Sequence, residues 1–387
     1  MNTIKNTDVV FISNIEWSLQ WQRHQIFATF FSHMCRQCIF VESHGKRNPE
    51  LKDLPRILGR VFRFISRRGK KPLKKADKNL PENLVVISPL VLPSTHRIFR
   101  TINGIVFIPS LVRSIKKLGV QKPIIMNYLP TQTSIELIQR LDPCLVVYDC
   151  VENFPEYPGV PGDIAKIEEH MFESADLVFT DSNFLYEKAS QFRKETKRIM
   201  PGVDYGHFAK ADTGRPDYPV KSLCFFGGIN DRRIDFALLR EISKLDHLTV
   251  DMIGPVDSKV PPLPSNVVFH GPVDYSELPE HIKSCDCFLF PYRVTEFTKG
   301  IIPAKLFECF ATGKPVITTP LPSFFEYAEL MYICQTAEEA IDIIQNLERH
   351  ETELKSMRRK ELAKKSSWDS RFEELVDQIK RKLEKGS

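Results

Sequence analysis

Short apolar strands alternate with amphipathic helices along the whole chain, and each strand stops at a polar residue, a Gly or a Pro. A Gly- and Pro-containing stretch, residues 205–219, interrupts this series near its middle and reads as a linker. Strands alternating with helices predict an α/β class built on parallel sheets, because a parallel pair needs a helical crossover. At 387 residues the chain is longer than one such core usually holds, so the architecture implied is two Rossmann-like halves with a crevice between them.

Residues 9–13 form the first strand and 39–42 the second. Between them Asn14, Glu16 and Trp17 lead into a helix through Trp21, Arg23, Ile26, Phe27, Phe30 and Phe31. An open α/β sheet places its ligand crevice at the polar ends of its strands. Asn14, Glu16, Trp17 and Arg23 are therefore candidates for holding a substrate. The alternative for the tryptophans is that they pack the helix onto the sheet. Strands at 84–88, 123–130, 144–152 and 175–180 follow, with helices over 98–118, 135–141 and 164–174 between them. Asp181, Ser182 and Asn183 cap a further helix. The strand through Tyr148 carries two carboxylates at its tip, Asp149 and Glu152. They are the best-placed candidates for a catalytic base, and the residues alone do not choose between them.

Residues 45–80 carry thirteen Lys or Arg against three Asp or Glu, while the chain as a whole is only +5. The basicity is therefore local. Arg56, Arg60, Arg63 and Arg67 are interleaved with Leu54, Ile57, Leu58, Val61, Phe62 and Ile65 at helical spacing. A basic amphipathic helix reads as a membrane-surface element attracted by anionic lipid. A solvated surface helix is the alternative. Nucleic acid is not the expected partner, because no stacking pattern or nucleic-acid motif accompanies the charge.

The second half repeats the alternation, with strands at 222–226, 248–255, 267–272 and 287–292 and helices from 236, over 275–284 and over 337–349. A charged helix and a final helix over 372–383 follow. Gly227-Gly228 after the first of these strands lets backbone approach a phosphate, and Arg232 and Arg233 can neutralise it. Further on, Pro303 suits the first turn of a helix over 304–311, Gly313 its stop, and 315–319 a buried strand. The helix start at Pro303, Ala304, Lys305 and Leu306 favours an anion such as a diphosphate. Glu308, about one turn on and on the Lys305 face, can accept two hydroxyl hydrogen bonds, as from a ribose. The alternative is an ordinary α/β helix with an exposed Glu.

Several classes are set aside. A three-glycine dinucleotide fingerprint is absent from the first strand, and so is a P-loop. The nine Cys, among them Cys144, Cys224, Cys309 and Cys334, lack paired zinc spacing and read as buried reduced thiols. Residues 1–8 have no signal-peptide architecture, and no apolar run is expected to span a bilayer.

The order Trp21-Gln22-Arg23, Tyr148-Asp149-Cys150-Val151-Glu152-Asn153, 175–182, Pro201-Gly202-Val203-Asp204, 303–316 and Ser367-Trp368 resembles the GT-B fold glycosyltransferases of the large retaining group 1 family. The likeness covers nearly the whole chain and is nearest to bacterial members that build surface polysaccharides. It implies an N-terminal acceptor domain over 1–205, a nucleotide-sugar domain over 206–365, and a C-terminal helix over 366–387 that returns to the first domain. In the family the 303–311 helix start binds the donor diphosphate and its glutamate, here Glu308, holds the ribose. The glycine loop with Arg232 and Arg233 binds the diphosphate, and His270, Gly271 and Val273 line the nucleobase. Two departures stand out. Relatives often carry His where this chain has Asp149, and Gly300 replaces a glutamate that contacts the transferred sugar.

The implied activity moves a sugar from a nucleoside diphosphate to a glycan acceptor, lipid-linked, at the inner face of the cell membrane, with retention. No Asp-x-Asp pair of the metal-dependent type is seen, so neither metal nor other cofactor is expected. A degenerate, non-catalytic scaffold protein is the alternative, and a soluble sugar-nucleotide epimerase a third reading.

Overall fold

The computed structural model describes residues 4–18, 21–42, 73–74, 80–92, 97–157, 159–216, 218–257 and 259–386. Arg56, Arg60, Arg63 and Arg67 lie outside the described residues. The chain divides into two compact units, Met1–Ile199 with Phe372–Ser387, and Met200–Arg371.

The first unit is built on strands β1 (Asp8–Ile12), β2 (Gln37–Val41), β3 (Leu73–Lys74), β4 (Leu84–Ser88), β5 (Ile124–Asn127), β6 (Leu145–Cys150), β7 (Leu177–Thr180) and β8 (Lys197–Arg198). They form one sheet in the order β3-β4-β2-β1-β5-β6-β7-β8. Every pairing is parallel except β3 on β4. All of β1 and β5 is buried, as expected of apolar strands covered on both faces. The order reverses between β1 and β5, the point where such sheets place ligands. The helix Arg23–Met34 returns from β1 and starts with a capping box between Gln22 and Gln25. Phe372, at the start of this unit's C-terminal segment, packs against Phe27, Phe30 and Phe31 with ring centroids 5.8, 5.1 and 4.9 Å away.

The second unit carries β9 (Ser222–Phe226), β10 (Thr249–Ile253), β11 (Val267–Gly271), β12 (Cys287–Phe290), β13 (Val316–Thr318) and β14 (Tyr332–Ile333). Their order is β11-β10-β9-β12-β13-β14, all parallel, with the reversal between β9 and β12. The short helix Lys305–Ala311 precedes β13. Behind it lies Arg359, fully buried, whose guanidinium donates to Gly313 O and Leu330 O and pairs with Glu351. This anchors the turn that ends the helix.

Three expectations are corrected. Residues 205–219 are not a plain linker. Tyr205–Phe208 is helical, and Phe208 and Ala211 are buried in the core of the second unit. Cys144 is exposed, whereas the other eight thiols are buried. The helical stretch Ile98–Lys117 is long and apolar enough to cross a membrane by length and composition. Its Ile108, Leu111, Val112 and Ile115 nevertheless sit in the core of the first unit.

Candidate functional site

In the second unit the charged groups gather at the strand-order reversal. Lys305 places its ammonium beside the ends of both central strands, donating to Phe226 O of β9. It lies 4.2 Å from the Phe225 ring centroid, 5.7 Å from that of Phe226 and 6.0 Å from that of Tyr292. Burial lowers its pKa to about 8, with Arg233 lowering it and Glu308 raising it. Arg233 is thus a second cation of the same site, its guanidinium carbon 5.7 Å from the Phe297 ring centroid. Arg232, expected as its equal, is exposed beside it.

Glu308 follows Lys305 by one turn. Burial raises its pKa to about 7, and Lys305 pulls it back down. The carboxylate takes no hydrogen bond from the described residues. A part-buried carboxylate beside an ammonium, with no hydrogen bond from the described residues, is an acceptor site for hydroxyl groups. Tyr275 feels the Glu308 charge, which together with burial holds its phenol above the ordinary range. Its ring stacks on His207 at 4.6 Å, and His207 Nε2 contacts Tyr275 O at 2.8 Å. Tyr275, His207 and Tyr292 carry no motif and are invisible to sequence reasoning.

The floor of this site is backbone. Gly227 has φ +121, and a Cβ there would overlap Lys305 Nζ. Gly254 has φ +139, and its Cβ would overlap the Gly227 carbonyl. The Gly227 N–H donates to Ile253 O and the Gly254 N–H to Gly271 O, both at 2.8 Å. Gly228 meets open space, so the steric need rests on Gly227 and on Gly254, which the sequence reading did not single out.

The remaining donor-site expectations divide. Pro303 is buried but stands one residue before the N-cap Ala304, outside the helix Lys305–Ala311 rather than in its first turn. Leu306 is placed differently from expectation: its side chain is buried and its N–H closes the first turn on Pro303 O at 2.9 Å. Ala304 and Lys305 are left with the N–H groups at the open helix end. His270 is the extra residue where the β10–β11 register shifts, and its Nε2 lies 2.6 Å from Asp251 Oδ1. Val273 packs on the core of the unit. At Gly300 the backbone caps the helix Glu296–Lys299, and Glu296 is paired with Lys299 at 2.5 Å.

In the first unit the expected residues converge at the carboxyl edge, with roles different from those foreseen. Arg23 and Asp149 form a buried two-pronged ion pair, Nε–Oδ2 2.7 Å and Nη2–Oδ1 3.1 Å, and Arg23 Nη1 donates to Ile199 O at 2.6 Å. Asp149 has no exposed surface, so it fixes Arg23 rather than meeting a ligand. Trp17 is buried against Phe40 at 5.0 Å, while Trp21 is exposed. Asn14 Nδ2 donates to Glu152 Oε2 at 3.3 Å, which ties the tips of β1 and β6 together. Around them Asn14 Oδ1, Tyr128 Oη, Thr180 Oγ1 and Asp181 Oδ1 are buried without a hydrogen-bond partner. Burial holds the Asp181 carboxyl well above the carboxylate range. His24, stacked on Tyr128 at 3.7 Å and 3.0 Å from Ser13 Oγ, completes the cluster.

Comparison with known proteins bears on the fold and on the family likeness. Residues 232–377 match a family model described as "Glycosyl transferase-like". A proposed teichuronic acid biosynthesis glycosyltransferase of Bacillus subtilis (strain 168), TuaH, is 28% identical over 238 residues, 55% of this chain and 59% of that protein. The match therefore spans under two thirds of that relative. Anabaena HepE, solved with UDP-glucose, has TM-score 0.66 at 10% identity over 97% of this chain and 100% of its own. A glycosyltransferase from Rickettsia africae has TM-score 0.64 at 13% identity, over 98% and 99%. The two-unit α/β fold is that of the GT-B glycosyltransferases.

Proposed function

We propose that this GT-B chain transfers a sugar from a nucleoside diphosphate to a glycan acceptor in surface-polysaccharide synthesis. The observation that carries the proposal is the pairing of Lys305 and Glu308 at the β9–β12 reversal, over the Gly227–Gly254 floor. Lys305, Arg233 and the open helix end receive the diphosphate, and Glu308 accepts from the ribose hydroxyls. As the bond from C1 to the phosphate oxygen breaks, negative charge grows on that oxygen. The two cations stabilise it without a metal. The acceptor oxygen bonds to C1 on the same face, with retention, and its proton goes to a carboxylate. Of the first unit's two strand-tip carboxylates, Glu152, which keeps some exposed surface, is proposed as a base in preference to enclosed Asp149. Asn14 and Asp181 offer unpartnered oxygens to acceptor hydroxyls. HepE and its complexes with UDP and UDP-glucose support a nucleotide-sugar donor.

The basic segment 45–80, whose Arg56, Arg60, Arg63 and Arg67 would meet anionic lipid, supports the reading of a lipid-linked acceptor at the inner membrane face. The second reading, a scaffold that binds donor without turnover, is favoured by Gly300, which brings no carboxylate to the sugar end. The test is a panel of nucleotide sugars, scored for thermal shift and for release of nucleoside diphosphate, with and without EDTA. One donor should raise Tm and be slowly hydrolysed in either condition. Binding without turnover, even with glycan lipid added, transfers the case to the scaffold reading. Neither binding nor turnover with any donor sinks both.

A further inference from the structure

Residues 97–117 run as α-helix Arg97–Ile102, a π-helical turn Asn103–Phe107, and α-helix Ile108–Lys117. The π turn has a local cause. The buried Asn103 side chain donates to Leu92 O at 2.8 Å and accepts from the Leu92 N–H at 2.9 Å. An extra residue in that turn widens the outward face, so that neighbouring Ile105 and Val106 both reach solvent. Behind it Arg140 donates to Gly104 O at 3.0 Å, and Glu136 lies against Gly104.

The inward face belongs to the core of the first unit, yet most of Ile98–Lys117 is not buried. Ile98 is 72% exposed, Ile105 72% and Val106 43%. Further along the same rod Arg113, Lys116 and Lys117 are exposed, and none has an ion-pair partner among the described residues. Arg100 is held by Asp163 at 2.6 and 2.8 Å. The stretch 97–117 contains five Lys or Arg and no Asp or Glu. Self-pairing of this face would bring two cationic helices together with no acid between them. Nucleic acid would meet the cations but leave the isoleucines in water. A surface with anionic headgroups above apolar chains satisfies both halves.

We propose that this face docks on an anionic lipid surface, with Ile98, Ile105 and Val106 inserting and Arg113, Lys116 and Lys117 meeting lipid phosphates. The proposal shares its partner with the membrane reading above but rests on different residues and on no step of glycosyl transfer. The test uses the full chain and flotation with vesicles of phosphatidylcholine alone or with three parts in ten phosphatidylglycerol. The variant Ile98→Ser/Ile105→Ser/Val106→Ser should lose about tenfold or more in partition to anionic vesicles. Arg113→Gln should lose on the order of fivefold at low salt, the effect of one cation near the surface. Both should keep nucleotide-sugar hydrolysis in vesicle-free solution, so a failed transferase reading shows separately. An Ile105→Trp variant, which needs no loss of fold, should shift its emission to the blue with anionic vesicles and be quenched by brominated lipid. Unchanged flotation of the triple-serine variant, or no shift and no quenching for Ile105→Trp, overturns the proposal. So does a dimer in gel filtration that the triple-serine variant abolishes, which would assign the face to a second copy.

Discussion

The two units carry the same kind of sheet and the same kind of edge, yet they treat charge in opposite ways. At the β1–β5 reversal the strongest charges, Arg23 and Asp149, cancel each other in a buried two-pronged pair. At the β9–β12 reversal Lys305 meets a carbonyl and ring faces, and Glu308 takes no hydrogen bond from the described residues. The first pair is fully enclosed, whereas Lys305 and Glu308 each keep part of their surface open. A pair that satisfies itself builds a scaffold, whereas a pair of opposite charges left short of hydrogen bonds awaits a ligand that supplies both signs. A nucleotide sugar supplies both, with its diphosphate and its ribose.

The sharpest way to break this contrast is to remove one member of the self-satisfied pair. Asp149→Ala leaves the Arg23 guanidinium buried and uncompensated, which should destabilise the first unit by about 3–5 kcal/mol. Asp149→Ala combined with Arg23→Met should recover much of that loss. Urea unfolding followed by circular dichroism measures both. If Asp149→Ala keeps wild-type stability and loses only turnover, then Asp149 is a reacting group and the contrast fails.

The matching change in the second unit should have the opposite signature. Lys305→Ala removes a part-buried, poorly paired cation, so folding stability should hold or rise slightly, because desolvation disfavours that charge. Donor turnover should fall by about 10²–10³-fold, as when one preorganised group is taken from a developing anion. Arg232→Ala, exposed beside the site, should change turnover little, and Arg233→Ala should change it more. Equal losses from the two arginines would restore the equivalence read from the sequence.

What was legible in the chain follows from what is local. Strand and helix alternation, the Pro303–Gly313 punctuation and the Lys305–Glu308 spacing depend on neighbours in sequence, and the structure has them in place. Asp149 was legible as a strand-tip carboxylate, but its enclosure depends on Arg23, which is 126 residues away. Trp17 and Trp21 look alike in sequence. Only packing on Phe40 buries the first and leaves the second exposed. Gly254 escaped notice because a lone glycine at a strand end has no signature until the Gly227 carbonyl lies against it. Tyr275 reaches Glu308 only through the fold of the second unit.

The smallest expected effect sharpens the contrast most, because it is read on the intact site. In the free protein Lys305 titrates near pH 8 and Glu308 near pH 7. A bound diphosphate favours the ammonium and raises the Lys305 pKa, so donor affinity is complete below pH 8 and falls as pH rises through it. Ribose hydroxyls favour the carboxylate and lower the Glu308 pKa, so affinity is complete above pH 7 and falls as pH drops through it. The slope of each limb approaches about tenfold per pH unit until the bound-state pKa is reached. Titration calorimetry with the nucleotide sugar should therefore show tightest binding between about pH 7 and 8. Lys305→Ala should erase the alkaline limb and move the acid limb to higher pH, because the ammonium that holds the Glu308 pKa down is gone. Glu308→Gln should erase the acid limb, and it should also move the alkaline limb to lower pH, because the carboxylate's charge is what props up the ammonium. A flat profile, or an alkaline limb that survives in Lys305→Ala, would mean that this pair is as self-contained as Arg23 with Asp149 and that the donor charge is met elsewhere.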